Sequence, residues 1–142
     1  MGRTRHLLTL SPLAGLEDTA LLLLRAGIGA FLVWGVSDNI TSPEHMAAFQ
    51  GFLTKHGFPA AGVLAPFEVW LQAALGVALI LGLLTRWAGL ILAVNFVIAI
   101  AMVDRLLGLR GAFGSICLVL IGLYLAARGG GRLSLDQLLL KR

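Results

Sequence analysis

The chain has 142 residues, of which 58% are hydrophobic and only 13% charged, with a net charge of +4 and a mean hydropathy of +0.93. Soluble domains carry about 25% charged residues, so this composition excludes one. The apolar residues are gathered into runs long enough to cross a hydrocarbon layer about 30 Å thick, and anionic lipid headgroups account for the positive charge without a nucleic-acid partner.

The N-terminal segment "MGRTRHLLTLSPLAGLED" is basic, but its apolar part is short, is broken by Pro12 and Gly15, and runs into Glu17 and Asp18. It does not read as a cleavable signal sequence and is expected to stay attached. His6 stands where a myristoylation signal wants a hydroxyl residue. The first predicted span is 19–36, with Arg25 as its one charge. The long loop from Asn39 to Gly62 contains a predicted helix. Thr41 and Glu44 have capping-box spacing, Pro43 suits a first turn, and Gly57 followed by Pro59 suits a stop. Met46, Phe49 and Leu53 fall on one stripe with Phe52 beside it. This amphipathic helix is either a lid over the bundle or an interfacial anchor.

The second predicted span is 64–84, with Glu68 near its start and Gln72 one turn on. The tight turn "LLTRWAG" makes the third span, 87–103 with Asn95 inside it, an antiparallel neighbour. Asp104 and Arg105 follow as rim anchors, and the fourth span, 111–127, carries no charge. Beyond it, "GGGRLSLDQLLLKR" has Ser134 and Gln137 at capping-box spacing, with Leu133 and Leu138 placed for a hydrophobic staple. A short surface helix is predicted there, with Lys141 and Arg142 toward lipid phosphates. Period-two alternation is absent, so the spans are helices and not barrel strands. Arg3, Arg5, Arg86, Arg128, Arg132, Lys141 and Arg142 share one side, against Lys55, Arg105 and Arg110 on the other, which puts both termini in the cytoplasm. The predicted fold is an all-α membrane protein. It is an antiparallel four-helix transmembrane bundle forming one domain over 1–142, with a short amphipathic outer-loop helix and a short C-terminal cytoplasmic helix.

Ionisable residues inside a span are costly and face the bundle interior. Counting about 1.5 Å per residue puts Arg25 about 10 Å and Asn95 about 12 Å inside the same end, close enough to meet, with Glu68 about 14 Å beyond Arg25. A polar column follows, with Asn39, Glu68 and Gln72 in its outer part and Asn95 and Arg25 in its inner part. Gly29 and Gly76 would let the helices approach beside it. Glu68 is the candidate for chemistry, since a carboxyl group can give and take a proton. Arg25, Asn39, Gln72 and Asn95 are candidate ligand contacts. The bland alternative is that these residues only glue helices together, or that Arg25 snorkels to the headgroups. Cys117 is the only cysteine, so the chain cannot run thiol–disulfide chemistry alone. His45 and His56 stand about 16 Å apart on one helix, too far to share a metal, and no metal site is expected.

Four pieces in order resemble the DoxX family of small bacterial membrane proteins: "LLRAGIGAFLVWGVSD", "FQGFLTKHGFP", "EVWLQAALGVALILGLLTRWAGLILA" with its glutamate, and "GGGRLSLDQLL". One departure is Asn39, beside Asp38, where the family's first span usually ends in lysine, so no role of that lysine passes to this chain. The resemblance implies a location in the bacterial inner membrane. It also implies association with quinone-linked respiratory steps such as thiosulfate oxidation, or with membrane oxidoreductase and detoxification assemblies. Two readings follow. One is a redox-associated subunit whose polar column binds a quinone headgroup or relays protons, with no covalent cofactor and with electrons from a cofactor-bearing partner. The other is a non-catalytic structural or assembly subunit, partnered by lipid and by other subunits or by its own copies. A small transporter is a third reading, against which the lack of visible inverted repeats counts.

Overall fold

The computed structural model describes residues 10–141. Arg3, Arg5 and Arg142, counted in the charge bias, and His6 lie outside the described residues. A 3-10 turn, Ser11–Leu16, leads into α1, Glu17–Thr41. The order continues with α2 (Pro43–Lys55), α3 (Ala61–Leu81), α4 (Thr85–Met102), a second 3-10 turn (Asp104–Leu107), α5 (Gly108–Arg128) and α6 (Leu135–Leu140). Among the described residues, four helices are long and apolar enough to cross a membrane. The chain folds as an all-α membrane bundle. For convenience, the end holding the α3–α4 turn and the C-terminal segment is the terminal end, and the end holding α2 is the loop end.

The spans differ from their predicted bounds for a simple reason. Apolar runs mark where hydrocarbon begins, whereas helical hydrogen bonding continues past it through Ser37–Thr41 in α1. In α3 the difference is a shift. The helix ends at Leu81, because Gly82 takes a left-handed conformation (φ 69°) and Leu84 does the same (φ 49°). Two positive-φ residues so close together reverse the chain. For Leu84 that geometry is strained, since its Cβ crowds the following carbonyl.

The four spans form two tight pairs, α1 with α3 and α4 with α5. Glycine makes each pair possible. A Cβ added at Gly29 would stand 2.5 Å from the Gly76 carbonyl oxygen, and one at Gly76 would stand 2.7 Å from that of Gly29. In the second pair, Gly89 and Gly122 approach each other's carbonyls in the same way, at 2.6 Å each. Backbone contact this close is how helices gain dispersion energy where lipid removes the hydrophobic drive. Each of these glycines is followed three residues later by a leucine that is fully buried: Leu32, Leu79, Leu92 and Leu125. The repeated Gly-x-x-Leu puts one close contact and one core side chain on the same face of every span. The leucines join Leu21, Leu75 and Ala88 in the central core.

The loop helix packs against α1 and α3. Its N-cap is Ser42, whose hydroxyl accepts from the His45 N–H at 3.4 Å. Thr41, predicted to cap it, instead ends α1 and donates its hydroxyl to the Ser37 carbonyl at 2.9 Å. One residue decides the difference, because only Ser42 has the extended backbone that a cap requires. Leu53 is buried against Ala61 and Ala65, with Met46, Phe49, Phe58 and Leu64 around them. The predicted apolar stripe thus packs on α3.

Candidate functional site: a cavity beneath the loop helix

Arg25 is fully buried, yet it is not part of a continuous polar column. Its Nη1 donates to the Leu79 carbonyl at 3.2 Å and its Nη2 to the Leu133 carbonyl at 2.6 Å. Leu79 belongs to the last turn of α3, whose orphan carbonyls and negative dipole end favour a cation. Leu133 belongs to the C-terminal segment, which folds back into the terminal end. There the Asp136 carboxylate accepts from the N–H groups of Leu84 (2.6 Å) and Thr85 (2.8 Å), and the Asp136 N–H donates to the Gly82 carbonyl at 2.9 Å. These bonds hold the strained α3–α4 turn. Ser134 caps α6 by accepting from the Gln137 N–H at 3.3 Å, as its spacing predicts. Glycine makes room for the plug. A Cβ at Gly82 would collide with Arg25 Nη1, and one at Gly130 would lie 2.7 Å from Ser134 Cβ. Arg25 is therefore a clamp between α1, α3 and the C-terminal segment.

The predicted meeting of Arg25 with Asn95 does not occur. Asn95 Nδ2 donates to Glu68 Oε1 at 2.6 Å. The expected depths had put Glu68 and Asn95 about 12 Å apart. Measured from the actual helix ends at Leu81 and Thr85, the difference falls to about 5 Å, which a glutamate side chain and modest tilt can cover. The column thus divides into a structural cluster at the terminal end and a polar group nearer the loop end.

That second group lines a cavity of about 600 Å³ bounded by α1, α2, α3 and α4. Glu68 and Gln72 from α3, Asn95 from α4 and Asn39 from α1 all contribute to its wall. Four of the five sequence-predicted site residues are brought together here, and Arg25 is the one that is not. Gln72 Nε2 reaches the Leu32 carbonyl at 3.4 Å, a weak bond, and Asn39 Nδ2 donates to the His45 carbonyl at 3.2 Å, tying α1 to the start of α2. Only one Glu68 oxygen is engaged among the described residues. The rest of the wall is apolar. Phe49, Phe52 and Leu53 of α2 roof it, and Phe67 and Ile98, both exposed, border it on α3 and α4. Sequence reasoning missed Phe58, Phe67 and Gly35 as wall residues. Only the stripe on the loop helix gave any signal, and it could not say what lay beneath.

The cavity exists because α3 and α4, although joined by a tight turn, touch much less than either glycine-locked pair. The Asn95–Glu68 bond is the side-chain hydrogen bond between them among the described residues. Chemically, the wall offers amide donors and acceptors and one titratable carboxyl, facing an apolar volume of the size that small-molecule sites occupy. Among the described residues no three His, Cys, Asp or Glu side chains form a group that could hold a metal ion.

Compared with known proteins, the sequence matches the DoxX family over residues 20–105. That stretch runs from early α1 to just past α4 and includes every polar residue of the cavity wall. No curated protein and no solved structure matches the chain.

Proposed function

The chain belongs to the DoxX family, and we propose that it is an inner-membrane subunit of a quinone-linked redox assembly whose cavity beneath α2 takes the quinone headgroup. The observation that carries this reading is the pairing of Glu68 with Asn95 on the wall of a largely apolar intramembrane cavity. A quinone, when bound, supplies two-electron, two-proton chemistry. Gln72 and Asn95 can donate amide N–H groups to a ring oxygen, and Phe49 and Phe52 can cover the ring face. The exposed Phe67 and Ile98 border a path for an isoprenoid tail into the bilayer. Glu68 holds or passes a proton at its carboxylate oxygens, while the electrons come from a cofactor-bearing partner subunit. In this proposal both termini face the cytoplasm and α2 lies on the outer side, following the bias of arginine and lysine.

A second reading has its own observation. The Glu68–Asn95 bond also ties α3 to α4, which is what a purely structural subunit would need. Two substitutions separate the readings. Glu68→Gln keeps size and hydrogen bonding but cannot titrate, whereas Glu68→Leu removes both. In the assembly purified from native membrane, Glu68→Gln is expected to fold normally and lose most of the quinone-dependent activity, by about 100-fold or more for a lost proton-transfer group. A fully active Glu68→Gln assembly, with only Glu68→Leu destabilised, would leave the structural reading.

A further inference from the structure

We propose that the terminal end carries a seat for one anionic phospholipid, in a pocket between the start of α4, the glycine segment Gly129–Gly131 and α6. This cavity, of about 460 Å³, is separate from the one beneath α2. Its polar wall holds Arg86, Arg128 and Arg132 together with one carboxylate, Asp136. The arginines differ in what already occupies them. Arg128 is spent on Glu17, through Nε at 3.0 Å and Nη2 at 2.6 Å to the same oxygen. Arg86 spends Nη1 on the carbonyls of Ala126 (3.0 Å) and Ala127 (2.7 Å), which fixes the guanidinium over Gly129 with no carboxylate partner among the described residues. Arg132, its side chain 85% exposed, makes a long ion pair with Asp18 at 3.9 Å. The nearby carboxylates are largely satisfied by backbone. Asp18 accepts from the Arg132 N–H, and Asp136 accepts from Leu84 and Thr85. Arg86 thus faces the pocket with no carboxylate partner and Arg132 with only a long, exposed one, and a phosphate can accept from both.

The other wall says which phosphate. Leu84, Trp87, Leu139 and Leu140 line the same pocket and are all more than 60% exposed. A free anion gains nothing from such a surface, whereas acyl chains do. The pocket lies where four spans end, which is where headgroups meet a bundle of this kind, and Trp87 suits such a place because its ring is apolar with one polar edge. Basic pockets between membrane helices are recurrent headgroup sites, with each cation contributing about 1 kcal/mol.

The test is native mass spectrometry of the whole chain released from mixed phosphatidylglycerol and phosphatidylcholine. The wild-type chain is expected to retain one phosphatidylglycerol. Arg132→Gln should reduce retention about five-fold, and Arg86→Gln with Arg132→Gln should abolish it. Lys141→Gln, outside the pocket, should retain lipid as wild type does. Because Arg86 also holds the end of α5, the single Arg132→Gln variant decides the matter if the double variant misfolds. Equal retention of the two lipids would overturn the proposal. So would an unchanged Arg132→Gln, an equal loss in Lys141→Gln, or displacement of the lipid by millimolar inorganic phosphate.

Discussion

Arg25 illustrates how a buried charge is tolerated in a membrane bundle without a salt bridge. Its acceptors are main-chain carbonyls, one at the negative end of a helix and one in a segment 108 residues away. Neither acceptor carries any mark in the sequence, since every residue has a carbonyl. What was legible is that Arg25 needs either interior partners or a path to the headgroups, and that a capped helix follows "GGGRLS"; their connection was not. Removing Arg25 leaves the Leu133 carbonyl without its donor, leaves the Leu79 carbonyl with only the Gly82 N–H at 3.2 Å, and unpins the plug that holds the α3–α4 turn. Arg25→Leu is therefore expected to destabilise the detergent-solubilised chain by on the order of 3 kcal/mol. Arg128→Leu, which loses only an exposed pair with Glu17, should change its melting temperature little. Equal melting temperatures for the two variants would contradict the clamp.

At the scale of elements, the four spans, the loop helix and the α6 cap were legible because each rests on a local pattern: an apolar run, a periodic stripe, a cap spacing. Their ends were less so. The left-handed Leu84 gives no warning, since its strain is relieved by Asp136 from a distant part of the chain. A three-residue shift in α3 was enough to pair Asn95 with the wrong partner. Glycine roles were partly readable. Gly29 and Gly76 were expected at a contact, but the matching Gly89 and Gly122 emerge only from the fold. Gly27 is a control within the same helix, because a Cβ there meets nothing within 4 Å. Gly29→Ala should cost about 1–3 kcal/mol, because the obstacle is backbone that cannot move aside. Gly27→Ala should be neutral, or stabilising by up to about 1 kcal/mol through helix propensity. Thermal unfolding of the two variants in the same detergent checks this, and a Gly29→Ala as stable as Gly27→Ala would show that α1 and α3 are not locked there.

At the scale of the molecule, two glycine-locked pairs are tied together at the terminal end by the turn, Asp136 and Arg25, and stand apart toward the loop end. The cavity is the space between them, roofed by α2 and bridged by Glu68 and Asn95. Its existence could not be read from the sequence, because it depends on how pairs of helices sit and not on any one helix. Its polar residues could be, because a carboxylate and carboxamides inside apolar spans need a reason. A quinone headgroup in this space, as proposed, is open to photo-crosslinking. The purified chain, in lipid nanodiscs, would be illuminated with a short-tailed azidoquinone and its adducts mapped by peptide mass spectrometry. The expected adducts fall on Phe49, Phe52, Phe67 and Ile98, are competed by unlabelled quinone, and are lost when Phe52→Trp and Gly35→Leu together fill the cavity. Adducts scattered over exposed residues outside the cavity, such as Trp34, Val63 and Leu120, uncompeted and unchanged by filling the cavity, would contradict it.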